Sequence, residues 1–234
     1  MATVSTNLKR TRERSVPPLN NGDRLTQREF HRRYEMYDED TKAELIGGVV
    51  YMASPLGLPH GLYHVELGVV FAMYKAFTPG AEAVDNATTI LGEFSEPQPD
   101  LSLRILPECG GQTRTSNKYL AGPPELLAEI AHSSFAIDMH LKRDDYERAG
   151  VLEYIVLCVE PPSLRWFRLK AGGEIRPNAR GVFRSHVFPG LWIDGPALLA
   201  RNTARLIEVV QQGVASPEHA HFLRRLDVRR RKRS

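Results

Sequence analysis

The chain has 234 residues, 42% of them hydrophobic and 25% charged, with a formal net charge of +3, values ordinary for one globular domain with tails. No apolar run approaches the ~20 residues of a membrane helix, and the polar, basic N-terminus lacks the apolar core of a secretory signal. Two cysteines, Cys109 and Cys158, give neither a disulfide framework nor metal-ligand spacing, so a reducing, cytoplasmic setting without membrane contact is expected.

In chain order, residues 1–22 form an irregular lead-in marked by Pro17, Pro18 and Asn20-Asn21-Gly22; residues 1–24 carry a net +3. Thr26 as cap, Glu29 three residues on and Phe30 next to it predict a helix start, running to about Tyr37. The acidic residues 38–40 lead into two β-branched runs separated by Gly47-Gly48, a predicted hairpin with Glu44 just ahead of it.

From His60 to Phe77, the residues Tyr63, Leu67, Val70, Tyr74 and Phe77 recur at spacings of four and three, the period of a helix with one buried face. His60 and His64 stand four apart on that helix. A zinc-protease helix carries glutamate directly after its first histidine, whereas Gly61 stands here and no third soft ligand is evident. His64 therefore reads as a hydrogen-bonded helix residue, and His60, near the helix start, as the one that faces a site.

Residues 87–91 and 100–105 are two short β-like runs, the second opened by Asp100. Residues 107–124 are rich in Gly, Thr, Ser, Asn and Pro without a period, and read as a long exposed loop. Residues 126–131 form a third strand, 137–149 a helix ended by Gly150, and 151–159 a strongly apolar strand. Residues 163–169 alternate as a half-exposed antiparallel strand and 181–188 as another; 196–212 reads as a closing helix, and a further helical pattern starts after Pro217. The last eleven residues set Arg224, Arg225, Arg229, Arg230, Arg231, Lys232 and Arg233 against Asp227 alone, a net +6. Removing that and the N-terminal +3 from the total of +3 leaves −6 for the body. An acidic body with basic ends suits a divalent cation within and a polyanion at the edges, and two solvated tails account for the same runs equally well.

Asp100 and Glu129 each place a carboxylate in a short apolar run. A buried carboxylate is costly unless it is paired, hydrogen-bonded or bound to a cation, and one shared metal ion would serve both. Downstream, Asp138, Lys142 and Tyr146 fall on one face of a helix. Taken singly, these residues also have plainer roles: Asp100 a strand-start cap, Glu129 a solubilising edge charge, Lys142 an exposed pair with Asp138 worth ~0.3–0.5 kcal/mol, and Tyr146 an aromatic flanking the core.

Several segments together resemble one family. Glu44 with residues 45–55, Pro59-His60, Pro99-Asp100-Leu101, Glu129 with residues 130–134, Asp138 with Lys142 and Tyr146, Gly150 to Tyr154 and Phe188 to Trp192 occur in the order seen in the Uma-type restriction endonucleases, a branch of the PD-(D/E)XK nuclease superfamily. The likeness spans about residues 24–200, with a lead-in at 1–23 and a helical extension with a basic tail at 201–234. It implies an α/β (α+β) fold, a restriction-endonuclease-like mixed β-sheet flanked by helices, and Mg²⁺-dependent hydrolysis of DNA phosphodiesters. Asp100 and Glu129 correspond to the metal-binding carboxylates and Glu44 to an additional upstream acid; His60 and Tyr146 are candidate accessory residues beside them. The superfamily pattern has a lysine two residues after Glu129, where this chain has Ala131; Lys142 on the following helix matches the branch in which that lysine has migrated.

Mg²⁺ suits this set because it is a hard cation held by one or two carboxylates plus water and phosphate oxygens, and Mn²⁺ satisfies the same donors. A nearby ammonium orients water and offsets developing charge. A catalytically silent nucleic-acid-binding module and a hydrolase of small phosphate esters are the competing functions. DNA is the expected partner, contacted through the C-terminal basic run, with RNA and a homodimer left open.

Overall fold

The computed structural model describes residues 16–38, 41–53, 55–132 and 134–233; the N-terminal basic residues Lys9, Arg10, Arg12 and Arg14, and the acidic pair Glu39 and Asp40, lie outside these. Thr26 caps α1 (Gln27–Tyr34), its hydroxyl accepting from Glu29 N. The helix stops at Tyr34, short of the predicted Tyr37, because the chain turns there and the Tyr37 hydroxyl accepts from Leu19 N at 2.7 Å. The hairpin follows as β1 (Ala43–Ile46) and β2 (Val49–Met52), turning at Gly47 and Gly48 with φ of 56° and 81°, the region that favours glycine. Glu44 lies within β1 and not ahead of it. Period-2 alternation buries Ala43 and Leu45 with Leu19, Phe30 and Val50 in a small cluster of their own, which turns Glu44 to the other side.

Helix α2 (Leu58–Ala76) has Tyr63, Leu67, Val70 and Tyr74 on its buried face, as predicted, together with Phe71. Phe77 departs from expectation: it ends the helix and is half exposed. Next come β3 (Ala81–Asp85), β4 (Thr89–Ile90) and β5 (Leu101–Ile105). The stretch 107–124 is not a structureless loop. It holds a 3₁₀ turn (Pro107–Cys109) and a hairpin of β6 (Arg114–Ser116) and β7 (Tyr119–Ala121). Glu125 stitches it down, accepting from Ile105 N at 2.7 Å and Gln112 N at 2.9 Å.

The central sheet has five strands in the order β10-β9-β8-β5-β3, with β8 (Leu126–Ala131), β9 (Glu153–Cys158) and β10 (Ser163–Arg168). Every pairing is antiparallel except β8 with β9. Parallel neighbours need a crossover, and this one is a π-helical segment, Ile137–Lys142, running into α3 (Arg143–Ala149), which Gly150 ends at φ 99°. Both central strands are buried along their whole length, and alternation assigns their two faces to different cores. Leu126, Ala128, Ile130, Ile155 and Leu157 face α2; Leu127, Ala131, Tyr154 and Val156 face Met139 and Tyr146 of the crossover. Glu129 shares the second face.

The chain closes with β11 (Val182–Arg184), β12 (Trp192–Asp194), α4 (Gly195–Leu199), α5 (Thr203–Val214) and α6 (Pro217–Arg231). The single helix expected over 196–212 is two, because Asn202 caps the second by accepting from Arg205 N, and Arg201 before it takes φ 52°. Helix α6 is docked: His219, Phe222 and Leu226 are buried, the latter two in the main core. The architecture is a mixed α+β fold, a mixed sheet flanked by helices, as the sequence implied.

Candidate active site

Three elements converge where β5 begins. Asp100 stands one step beyond the last paired residues of β5 and β8, Leu101 and Ala128, so the antiparallel register sets it opposite Glu129. Its Oδ2 accepts from Ile130 N at 2.7 Å and faces His60 Nε2 at 3.2 Å. Glu129 Oε1 accepts from Lys142 Nζ at 3.0 Å and from the Tyr146 hydroxyl at 2.7 Å. Glu44, brought from β1, accepts Gln98 N on Oε1 at 2.7 Å and approaches Lys142 Nζ with Oε2 at 2.9 Å. Thus Asp100, Glu129, Glu44, Lys142, His60 and Tyr146, spread over about a hundred residues of chain, meet at one place. All of them except Tyr146 line an open cleft of about 470 Å³.

Asp138 completes the charge pattern. It is buried, lies 3.6 Å from Lys142 Nζ, and accepts from the Ser134 hydroxyl. The i, i+4 spacing made its pairing with Lys142 legible, but not that both would be buried against the sheet. Three carboxylates, Glu44, Glu129 and Asp138, therefore surround one ammonium. Burial pushes the Glu129 carboxyl well up, against the pull of Lys142 and with the push of Asp100 and Asp138. Burial likewise raises Asp138, partly offset by Lys142. Burial also opposes ionisation of Asp100, yet His60, the Ile130 amide and Lys142 prevail and hold it below the usual range. For Lys142 burial disfavours the charge, and Glu129, Glu44 and Asp138 outweigh it, keeping the ammonium protonated.

The oxygens still without partners separate this site from the other buried acids. Glu125 and Glu153 each have both oxygens taken: the former by Ile105 N and Gln112 N, the latter by Trp166, Ser185 and the amides of His186 and Val187. These are structural carboxylates, satisfied as buried polar groups must be. Among the described residues, no donor reaches Oδ1 of Asp100 or Oε2 of Glu129, and both residues open on the cleft. Two unpartnered hard oxygen donors on facing strands, in a site with excess negative charge, fit a divalent cation such as Mg²⁺. Gln98, which holds Glu44, carries no sequence signal, and Ser134, which holds Asp138, lies in the segment that follows Glu129 without its role being legible there.

The C-terminal basic run lies elsewhere. Arg229 approaches Gly110 and Arg233 donates to Pro107 O, both beyond the far end of β5, about 17 Å along the strand from Asp100 at ~3.3 Å per residue. Arg224, Arg225, Arg229, Arg231, Lys232 and Arg233 are exposed, and Arg230 is half-buried.

Residues 28–197 match the Uma2 family, described as a putative restriction endonuclease. The fold is similar to the crystal structure of a putative nuclease belonging to DUF820 from Anabaena variabilis, with a TM-score of 0.55 and 14% identity over 80% of this chain and 99% of that one. No curated protein matches. No helix among the described residues is long and apolar enough to cross a membrane.

Proposed function

The chain belongs to the Uma2 family, and from that premise we propose that the cleft hydrolyses DNA phosphodiester bonds using a divalent cation, Mg²⁺ or Mn²⁺, held by Asp100 and Glu129. The observation that carries the reading is the pair of carboxylate oxygens on those two residues that no donor among the described residues reaches, set beside the buried Lys142, whose Nζ lies 3.0 Å from Glu129. When bound, such an ion polarises phosphoryl oxygens and lowers the pKa of a coordinated water.

The remaining work belongs to the chain's own groups. Lys142, held by Glu129 and Glu44, presents positive charge where a phosphate would otherwise meet only carboxylates, and offsets charge that develops on it. Its place on the crossover helix supplies the ammonium that Ala131 cannot. Tyr146 fixes Glu129 through Oε1, which keeps Oε2 turned to the cleft, and His60 with the Ile130 amide does the same for Asp100 through Oδ2. The exposed arginines of α6 are proposed as sequence-neutral phosphate contacts, reached by a duplex long enough to extend past the sheet.

The test is incubation of supercoiled, linear and single-stranded nucleic acid with the protein across Mg²⁺ and Mn²⁺, beside Asp100→Ala and Glu129→Ala. Metal-dependent nicking by the wild type, abolished in both variants with the fold retained, is expected. Binding without cleavage under every metal condition would instead assign the chain to silent nucleic-acid-binding modules.

A further inference from the structure

Asp100 also belongs to a second donor set. One ligand atom from each of His60, His64 and Asp100 lies within 4.8 Å of the others. The two histidines occupy i and i+4 positions on α2 with ring centroids 5.8 Å apart, a spacing at which a helix can offer two imidazoles to one ion. His60 Nε2 and Asp100 Oδ2 are already 3.2 Å apart, close to the ~3.3 Å between two ligands on a tetrahedral zinc with bonds of ~2.0–2.1 Å.

Two further observations point to a ligand. His60 is only 6% exposed, and its Nδ1 is buried without a hydrogen-bond partner among the described residues. The orphaned atom is not the one that meets Asp100: Nδ1 is available to carry the ring proton, which leaves the Nε2 lone pair to a cation. His64, in turn, has Nε2 2.7 Å from Asp85 Oδ1; a carboxylate on one ring nitrogen orients the other, the outer-shell arrangement of metal-binding histidines. Glu129 is not part of this donor set; its open Oε2 belongs to the Mg²⁺ position. Two nitrogens and one oxygen make a softer set than the all-oxygen pair Asp100 and Glu129, and imidazole favours Zn²⁺-like ions where carboxylate alone suits Mg²⁺.

We propose that His60, His64 and Asp100 bind a transition-metal dication of the Zn²⁺ and Co²⁺ class, with Asp85 positioning His64, at a place distinct from the Mg²⁺ position. The site stands whether or not the cleft cleaves DNA. The third ligand, absent from the local spacing, is supplied by the strand that α2 packs against.

Untagged full-length protein, stripped with chelator, is titrated with Co²⁺ by calorimetry and visible absorption, and the complex is challenged with Zn²⁺ and with excess Mg²⁺. In excess Mg²⁺, which competes for the Asp100 and Glu129 position, one tight Co²⁺ per chain is expected, displaced by Zn²⁺, with affinity lowered at least ~10-fold in His60→Gln, His64→Gln and Asp100→Asn and unchanged in Glu129→Gln. His64→Gln is the informative variant, because His64 is half-buried at the helix surface and its replacement leaves the core intact, which circular dichroism checks. The proposal fails if the wild type takes up no Co²⁺, if His64→Gln binds it as tightly as the wild type, or if Glu129→Gln weakens it as much as His64→Gln does. A negative cleavage assay leaves these titrations untouched, so the two readings fail separately.

Discussion

Replacing Lys142 with methionine keeps a flexible apolar stem and deletes the ammonium. In the native protein Nζ lies 2.9 Å from Glu44, 3.0 Å from Glu129 and 3.6 Å from Asp138, with the side chain 7% exposed. Breaking a buried ion pair from one side costs about 3–5 kcal/mol, because the remaining charge stays buried and unpaired. For a chain of this size each kcal/mol moves Tm by about 2–4 °C, so a fall of about 6–20 °C is expected at pH 8. The loss should depend on pH. Burial already raises the Glu129 carboxyl, and without the ammonium it rises further. An acid whose pKa is higher folded than unfolded loses stability as pH climbs from the unfolded value through the folded one. The penalty therefore shrinks toward pH 5 and grows toward pH 8, where Mg²⁺ should restore part of it by binding the folded state. Thermal melts of wild type and Lys142→Met across that range, with and without Mg²⁺, give the comparison. A pH-independent loss, or one below about 1 kcal/mol as for a solvated pair, would refute the claim that this ammonium holds the carboxylates together. In the cleavage assay the variant should lose activity by orders of magnitude, and Lys142→Arg should not fully restore it, since guanidinium is planar and differently hydrated.

Tyr146→Phe removes a 2.7 Å bond to Glu129 and should cost about 1.5–3 kcal/mol in urea unfolding, the range for a bond to a charged group, while lowering cleavage less than Lys142→Met does. Gly213→Ala sits inside α5, where propensity alone favours alanine by ~1 kcal/mol. The new Cβ would stand 2.1 Å from Gly190 O and 3.0 Å from the Trp192 ring, so thermal melts should show destabilisation of about 1–3 kcal/mol, the cost of overpacking. Replacing Arg224, Arg225 and Arg231 together with glutamine should weaken duplex binding and reduce the slope of log affinity against log salt by ~0.9 for each phosphate no longer neutralised, as read by fluorescence anisotropy. Truncation before residue 224 would strip Leu226, 2% exposed, from the core, so substitution is the cleaner perturbation.

For several elements whose cause is local the sequence alone was sufficient, the Asn202 cap that divides 196–212 being the exception. The Thr26 cap, the Gly47-Gly48 turn, the period of α2 and the apolar run of β8 each declare themselves within a few residues, and the family's motif order pointed to Asp100, Glu129, Lys142 and Glu44, which the fold brings together. Strand β3 escaped because Ala81–Asp85 has one β-branched residue, Val84, and exists through its ladder to β5. The hairpin inside 107–124 depends on Glu125, and the docking of α6 on a core built from distant strands. The site divides in the same way. The family resemblance pointed to the acids and the lysine, but which carboxylate oxygens remain open depends on where the amides of Ile105, Gln112, Ile130, His186 and Val187 point. Those directions follow from the sheet register and the packing of segments far apart in the chain. Tertiary structure therefore separated Glu125 and Glu153, whose oxygens are all taken, from Asp100 and Glu129, which each keep one oxygen that no donor among the described residues reaches.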